Sequence, residues 1–339
     1  MMKKKHPLLS IIVPIYNGQK YIQRCIEGIE KNEDIELEII IINDGSIDSS
    51  LEEINKILSK YNNIIFFNNS KNYGVSYSRN LGIKYATGDY IGFVDVDDEI
   101  EHNMFTKLVG CAIENQSDVV VCNYIEISEN KKNIVNSKYK YKHTSLDQYN
   151  SLKNYLIDYI SPAVWDKIYK KDIIKKIKFD EQFSIGEDIL FCLEVFLNST
   201  KVTFINESLY KYNQNNNSTM HNLSHFLFDF KKIFFSIPYN YEKILNKDYL
   251  EEYQYFKYEM ITRGIHSISS MSNSKNKKII SDFLKVYYDK KIFREICRNK
   301  YFSKKIKLEI FILKNFGINV HIFLIPIYKK FRNLTRMVH

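Results

Sequence analysis

The chain has 339 residues, 45% of them apolar and 26% charged, enough for a sizeable core in one large domain or two modest ones, so a disordered or fibrous protein is excluded. Its net charge of +9 is unevenly placed: between Lys275 and His339 seventeen lysines and arginines face four acids, so that stretch carries +13 and the remainder −4. Five cysteines, Cys25, Cys111, Cys122, Cys192 and Cys297, without a Cys-x-x-Cys pair, speak against a disulfide framework or zinc site and for free thiols in a reducing cytoplasm.

Met1 to His6 is basic, but Pro7 and a strand-length apolar run follow, unlike a secretory signal. No apolar stretch reaches the roughly 20 residues that span a bilayer. Leu8 to Pro14 reads as a compact apolar strand, and Tyr21, Ile22, Cys25, Ile26 and Ile29 then recur at helical spacing. Leu37 to Ile42 predicts a second buried strand, Leu51, Ile54, Ile57 and Leu58 a second helix, and Ile64 to Phe67 a third strand. A helix to about Ala86 follows Asn72-Tyr73-Gly74, and Tyr90 to Val94 is the strand that delivers Asp95. A helix from about His102 to Asn115 and a strand at Val119 to Cys122 continue the alternation, which predicts a largely parallel sheet with helices on both faces. Lys131 to Tyr149 is polar and basic and reads as a loop. The polar stretch Asn213 to Ser218 is the best boundary, giving a first domain over 1–220 and a helix-rich basic region over 221–339.

In open sheets of this kind ligands collect at the carboxyl ends of the strands. Three such ends are polar and turn-rich: Pro14-Ile15-Tyr16-Asn17-Gly18, Asn43-Asp44-Gly45-Ser46 and Asp95-Val96-Asp97-Asp98. The third follows the apolar run Gly92-Phe93-Val94. Carboxylates so close together repel, and a bound cation or a raised pKa relieves them. Oxygen donors with few soft ligands suit Mg²⁺ or Mn²⁺. The alternative is an acidic helix start, with Asp97, Asp98 and Glu99 ahead of the 102–115 helix.

Together the segments Ser-Ile-Ile-Val-Pro-Ile-Tyr-Asn at 10–17, Ile-Ile-Asn-Asp-Gly-Ser-Ile-Asp at 41–48, Asn-Tyr-Gly-Val-Ser-Tyr-Ser-Arg-Asn at 72–80, Asp95-Val96-Asp97-Asp98 and Gly186-Glu187-Asp188 resemble a family 2 inverting glycosyltransferase of the GT-A fold, over about residues 7 to 220. Trp165-Asp166-Lys167-Ile168-Tyr169 and Leu209-Tyr210-Lys211-Tyr212 resemble its bacterial capsule and lipopolysaccharide branch. The resemblance implies a mixed, largely parallel sheet flanked by helices, a UDP-sugar donor, a glycan or lipid-linked acceptor, and Mn²⁺ or Mg²⁺. By the same resemblance Pro14, Tyr16 and Asn17 border the nucleotide and Asp44 accepts from the uracil edge. Gly45 admits close backbone approach to the base, and Ser46 satisfies a polar group or caps the next helix. Asn72, Gly74 and Arg79 complete the pocket, Arg79 binding nucleotide or a salt bridge to Asp44 or Asp95. Asp97 leads as metal ligand, with Asp95, Val96 and Asp98 beside it, the carboxylates reaching ribose, metal or diphosphate.

Inversion in one displacement needs a base opposite the leaving group. Asp188, opening an apolar helix over Ile189 to Leu197, is assigned that role, and Glu187 is either a decoy beside it or a donor-sugar contact. Trp165 is a candidate sugar platform, Lys167 a phosphate partner or a solvated turn residue, and His221 a residue near the metal or diphosphate, outside the main set. The tail from Ile310 to Phe331 mixes Phe311, Phe316, Ile318, Ile322 and Phe323 with Lys314, Lys329, Lys330 and the following Arg332, as a helix lying on an anionic membrane or packed on the body would. The expected location is cytoplasmic, peripheral on the inner face of the membrane, and a second copy of the chain is a further candidate partner. Competing readings are a binding protein of this fold without turnover and a nucleic-acid binder using the basic tail, the latter lacking an aromatic–basic platform.

Overall fold

The strand runs at the start of the chain are β-branched and apolar on both faces, and they become a buried parallel sheet. The computed structural model describes residues 8–128, 131–135, 143–183, 186–214, 243–245, 247–270, 290–312 and 315. The chain forms two compact units, Met1–His221 and Asn222–His339. In the first, β1 (Leu8–Ile15), α1 (Ile22–Glu30), β2 (Glu36–Asn43), α2 (Ser50–Lys60), β3 (Ile64–Asn68), α3 (Val75–Tyr85) and β4 (Tyr90–Phe93) alternate strictly. The strands β3-β2-β1-β4 lie in that order, all parallel. Ile11, Ile12 and Val13 of β1 and Ile39 to Ile42 of β2 are fully buried, as expected where helices cover both sheet faces.

The sheet then becomes mixed. After β5 (Glu99–Ile100) and α4 (Met104–Asn115) come β6 (Val119–Ser128), β7 (Lys131–Val135), β8 (His143–Asp147), α5 (Gln148–Leu156), β9 (Lys167–Lys170), α6 (Lys171–Ile174), α7 (Glu187–Asn198) and β10 (Lys201–Asn213). The order continues β4-β9-β6-β10-β5, with β9 antiparallel to both neighbours and β10 parallel to β6. Residues 131–149, expected as a loop, hold β7, β8 and the start of α5. Here β8 and β5 pair with successive stretches of β10, and β7 adds to the end of β6. Short strands at a sheet margin tolerate the polar residues that made this stretch read as a loop.

The acidic run is not a helix start. Its last residue, Glu99, enters β5, which pairs antiparallel with Tyr210 and Lys211 of β10, and α4 has no acid in its first turn.

In the second unit, α8 (Leu250–Ser270) and α9 (Lys290–Arg298) are followed by helical residues 304–312. Asn299 Nδ2 donates to the Glu251 carbonyl at 2.7 Å, and Tyr255 meets Phe302 with ring centroids 4.7 Å apart. Among the described residues no helix is long and apolar enough to cross a membrane. The expected anchor over Ile310 to Phe331 lies mostly outside the described residues.

Candidate active site

Because β1 and β2 are parallel with Ile15 opposite Asn43, both release their chains at one edge. The loops are laced there by side-chain to backbone bonds. Ser46 Oγ accepts from Asn17 N, and Asn17 Oδ1 accepts from Ile47 N, each at 2.9 Å, with Asn17 itself left-handed at φ 53°. Ser46 therefore ties two strand ends together and does not cap α2. Asp44 is buried: Oδ1 accepts from Asn69 Nδ2 at 2.8 Å and Tyr73 N at 3.0 Å, and Oδ2 from Gly74 N at 2.8 Å. A carboxylate has about four acceptor positions, so room for one further donor remains.

Gly45 has φ +67°, and a Cβ there would lie 2.3 Å from the Lys71 carbonyl carbon, so the close approach that demands glycine is to the chain at Lys71 and Asn72. Asn72 Oδ1 accepts from Gly74 N at 2.9 Å, closing the turn ahead of α3. Pro14 is half-buried on β1, and Tyr16 and Asn72 are exposed.

The acidic turn after β4 is held from β10. Asp98 is 1% exposed and accepts from Tyr210 Oη at 2.8 Å and Asn213 N at 2.8 Å. Tyr210 Oη also accepts from Asp95 N at 3.2 Å, while the Asp97 carbonyl accepts from Asn213 Nδ2 at 2.8 Å and Arg24 at 2.9 Å. Val96 is buried in the core, 3.1 Å from the position of a Cβ on Gly18, so its side chain faces away from solvent. Burial, and then the charge of Asp95 with a further contribution from Asp97, holds the Asp98 carboxyl well above the usual carboxylate range. Tyr210 and Asn213 were not singled out in the sequence as site residues; the only pointer was the Leu209-Tyr210-Lys211-Tyr212 segment, which carried no chemistry of its own.

Arg79 is the hub of the site. Its guanidinium, 4% exposed, bonds Asp95 Oδ1 at 3.1 Å, Glu187 Oε1 at 3.0 Å and Asp188 Oδ1 at 2.6 Å. It lies 5.3 Å over the Phe179 ring, which stacks on Phe191 of α7 with centroids 4.0 Å apart. Asn80 fixes that ring from below in sequence: its Oδ1 accepts from Phe179 N at 2.8 Å and its Nδ2 donates to Phe179 O at 2.9 Å. Of the two partners offered for Arg79 in the sequence, Asp95 is found and Asp44 is not.

Glu187 and Asp188 open α7 after Gly186, left-handed at φ 83°. Burial raises both carboxyls above their ordinary values, each also feels neighbouring acids, and Arg79 opposes the rise. Asp188 is the more open of the two, its side chain 21% exposed against 10% for Glu187. One cation is thus shared by three carboxyls, and burial favours a proton on Glu187, whose pKa is pushed up to about 8.

Two other candidates sit differently from a ligand contact. Trp165 is 7% exposed, stacked on Tyr210 at 4.3 Å and Tyr212 at 5.5 Å, with the Tyr124 ring edge-on at 4.8 Å. Lys167 is fully buried, not at a solvated turn: its ammonium donates to the carbonyls of Ser161 at 2.8 Å and Ala163 at 2.7 Å and to the Asp166 carboxylate. A charge so enclosed persists because it is paired. Both residues thus brace the floor behind the acidic turn and α7. His221 lies outside the described residues.

Among the described residues no group of three or more His, Cys, Asp or Glu side chains is arranged to hold a metal ion. Mg²⁺ and Mn²⁺ at nucleotide sites, however, commonly take one or two protein carboxylates and complete their shell with phosphate and water. The donor set fits that mode. Asp95 and Asp97 are hard oxygen donors on one turn, and Asp98, buried behind them, is turned inward by Tyr210 and Asn213.

Residues 10–196 match the model described as Glycosyl transferase family 2. The chain is 35% identical over 216 residues to the uncharacterized glycosyltransferase EpsJ of Bacillus subtilis, a match spanning 62% of this chain and 62% of that relative, less than two thirds of its length. The crystal structure of residues 1–349 of S. aureus TarS in complex with UDP is similar with TM-score 0.66 at 21% identity, over 95% of this chain and 91% of that one. The same TarS segment in complex with UDP-GlcNAc is similar with TM-score 0.60 at 19% identity, with the same coverage. These likenesses establish the GT-A fold for this chain.

Proposed function

The chain belongs to glycosyl transferase family 2, and on that premise we propose that it moves a sugar from a UDP-sugar to a hydroxyl of a glycan or lipid-linked glycan in cell-surface polysaccharide synthesis, with inversion. The observation that supports this reading is the Arg79 hub, which joins Asp188, the more open carboxylate at the start of α7, to Asp95 just past the end of β4. In this reading the uracil edge donates to the remaining acceptor position of Asp44, and Tyr16 and Asn17 line the base. The TarS structures in complex with UDP and UDP-GlcNAc support a nucleotide-sugar as donor.

The acceptor oxygen attacks the anomeric carbon from the side opposite the diphosphate. Asp188 takes the hydroxyl proton as the bond forms, and the electron pair of the breaking sugar–oxygen bond leaves on the diphosphate. Arg79 fixes the carboxylate's direction and tempers its basicity; Glu187 shares the same guanidinium and faces the donor sugar. Mn²⁺ or Mg²⁺ held by Asp97 and Asp95 would offset the charge that develops on the leaving diphosphate. Asp98 stays inward, bracing that turn through Tyr210 and Asn213. The enzyme would work at the inner face of the membrane, where lipid-linked acceptors lie.

The test is UDP release from a panel of UDP-sugars with Mn²⁺ or Mg²⁺, repeated with chelator. Donor-dependent, metal-dependent release supports the reading and names the sugar. Tight donor binding without release, with acceptor lipid supplied, would turn it to a binding protein of the same fold.

A further inference from the structure

The helical segment that follows α9 sorts its side chains in a pattern the transfer chemistry does not use. Ser303 opens it, its Oγ accepting from Ile306 N at 3.2 Å and its carbonyl from Lys307 N at 3.1 Å. Ile310 and Glu309 turn inward, 3% and 6% exposed. Leu308 and Phe311, by contrast, are 52% and 47% exposed, on one stripe with the exposed Lys304 at spacings of four and seven. Lys305 is exposed beside them and also reaches Glu309 at 3.7 Å.

The preceding α9 is sorted alike. Lys291, Arg294 and Arg298, at spacings of three and seven, are exposed while Ile296 is fully buried. The acids are placed oppositely to the bases: Glu295 accepts from Tyr258 Oη, Glu309 is buried, and no acid between residues 291 and 311 is exposed. Single exposed apolar side chains are ordinary, but two on a stripe among outward cations, with the acids turned in, select a partner. A nucleic-acid duplex would satisfy the cations and offer no apolar phase to Leu308 and Phe311. An anionic bilayer satisfies both, because lysine stems keep the charge at the headgroups while apolar tips go a few ångströms deeper.

We propose that residues 304–312, with the basic face of α9, dock on an anionic lipid bilayer. Leu308 and Phe311 enter the headgroup–acyl boundary, and Lys304, Lys305, Arg294 and Arg298 meet lipid phosphates. This deepens the membrane-side placement in the proposed function, yet its readout is independent of turnover.

The experiment sediments the full chain with vesicles of phosphatidylcholine alone or with about 30% phosphatidylglycerol, at low and raised salt. Partition to the anionic vesicles at least about tenfold above the neutral ones, weakened by salt, is expected. Lys304→Glu with Lys305→Glu should cost at least about 25-fold, given roughly a fivefold gain per cation near such a surface and the added repulsion of two acids, and Leu308→Asp with Phe311→Asp about tenfold or more. Circular dichroism and vesicle-free UDP release should match the wild type in both double variants. Equal partition to both vesicles, wild-type partition of either variant, or stronger retention on duplex DNA than on anionic vesicles would overturn the proposal. Vesicle binding by a chain that releases no UDP would sink the transferase reading and leave this one standing.

Discussion

The two halves of the candidate site are built by different physics. On the donor side, Asn17, Asp44, Ser46 and Asn72 bond backbone groups within about thirty residues of themselves, so the edge is a network of turn chemistry in which nearly every donor and acceptor is used. On the transfer side, Arg79 reaches across 108 and 109 residues to Glu187 and Asp188, and one cation serves three carboxylates. The first half is satisfied before any ligand arrives; the second hangs on a single shared cation. Binding should therefore be lost by breaking the first, and turnover by breaking the second.

The largest separation is expected from Arg79→Ala. It leaves three partly buried carboxylates without their cation, so the melting temperature should fall by about 10 °C, from roughly 3–5 kcal/mol of lost stability. The rate constant for transfer should fall at least about 10³-fold. Arg79→Lys, which keeps the charge without the fork, should recover most of the stability and little of the rate; equal recovery of both would make Arg79 merely structural.

Next comes Asp44→Ala, which removes the acceptor for Tyr73 N, Gly74 N and the uracil edge together. Titration calorimetry should show UDP affinity down about 10- to 100-fold, with the rate at saturating donor changed far less. An unchanged affinity would move the nucleotide elsewhere. Gly45→Ala should act on the same side for a backbone reason, lowering the melting temperature and weakening UDP, because the added Cβ meets the Lys71 backbone at a positive φ.

The smallest effect is in pH. Burial raises Asp188 above its ordinary 3.8 and Glu187 above its ordinary 4.5. The rate should fall on acidification through the raised Asp188 value, so its acid limb lies at higher pH than for an exposed aspartate. In stability the sign is opposite. The folded state holds these protons more tightly than the unfolded chain, so the two groups contribute stability that is full below their ordinary values and lost as pH rises through the raised ones. Thermal melts across that range check it.

The same contrast explains what could be read without coordinates. Strands β1 to β4 were legible because each is a continuous apolar run, buried in β1, β2 and β4 and half-buried in β3 at the end of the strand order, and the donor edge because Asn, Asp, Gly and Ser announce turns locally. The short strands β7 and β8 were hidden, since their polar residues suit a sheet margin as well as a loop. Lys167 misled in the same way: its charge suggests solvent, while a short carboxylate and two carbonyls, all supplied by residues 161–166, make burial tolerable. The Arg79 partnership was half visible through Asp95. Its other half depends on α7 meeting α3, and the role of Tyr210 on β10 pairing with β5, and no local pattern encodes either.

The most direct test of the account is transfer by Asp188→Asn beside Glu187→Gln, with donor affinity measured on the same samples. The account predicts that Asp188→Asn loses about 10³-fold in the rate constant while UDP-sugar affinity stays within about twofold, and that Glu187→Gln loses less. Wild-type turnover in Asp188→Asn, or a loss explained wholly by donor affinity, would contradict Asp188 as the base and with it the division of the site drawn here.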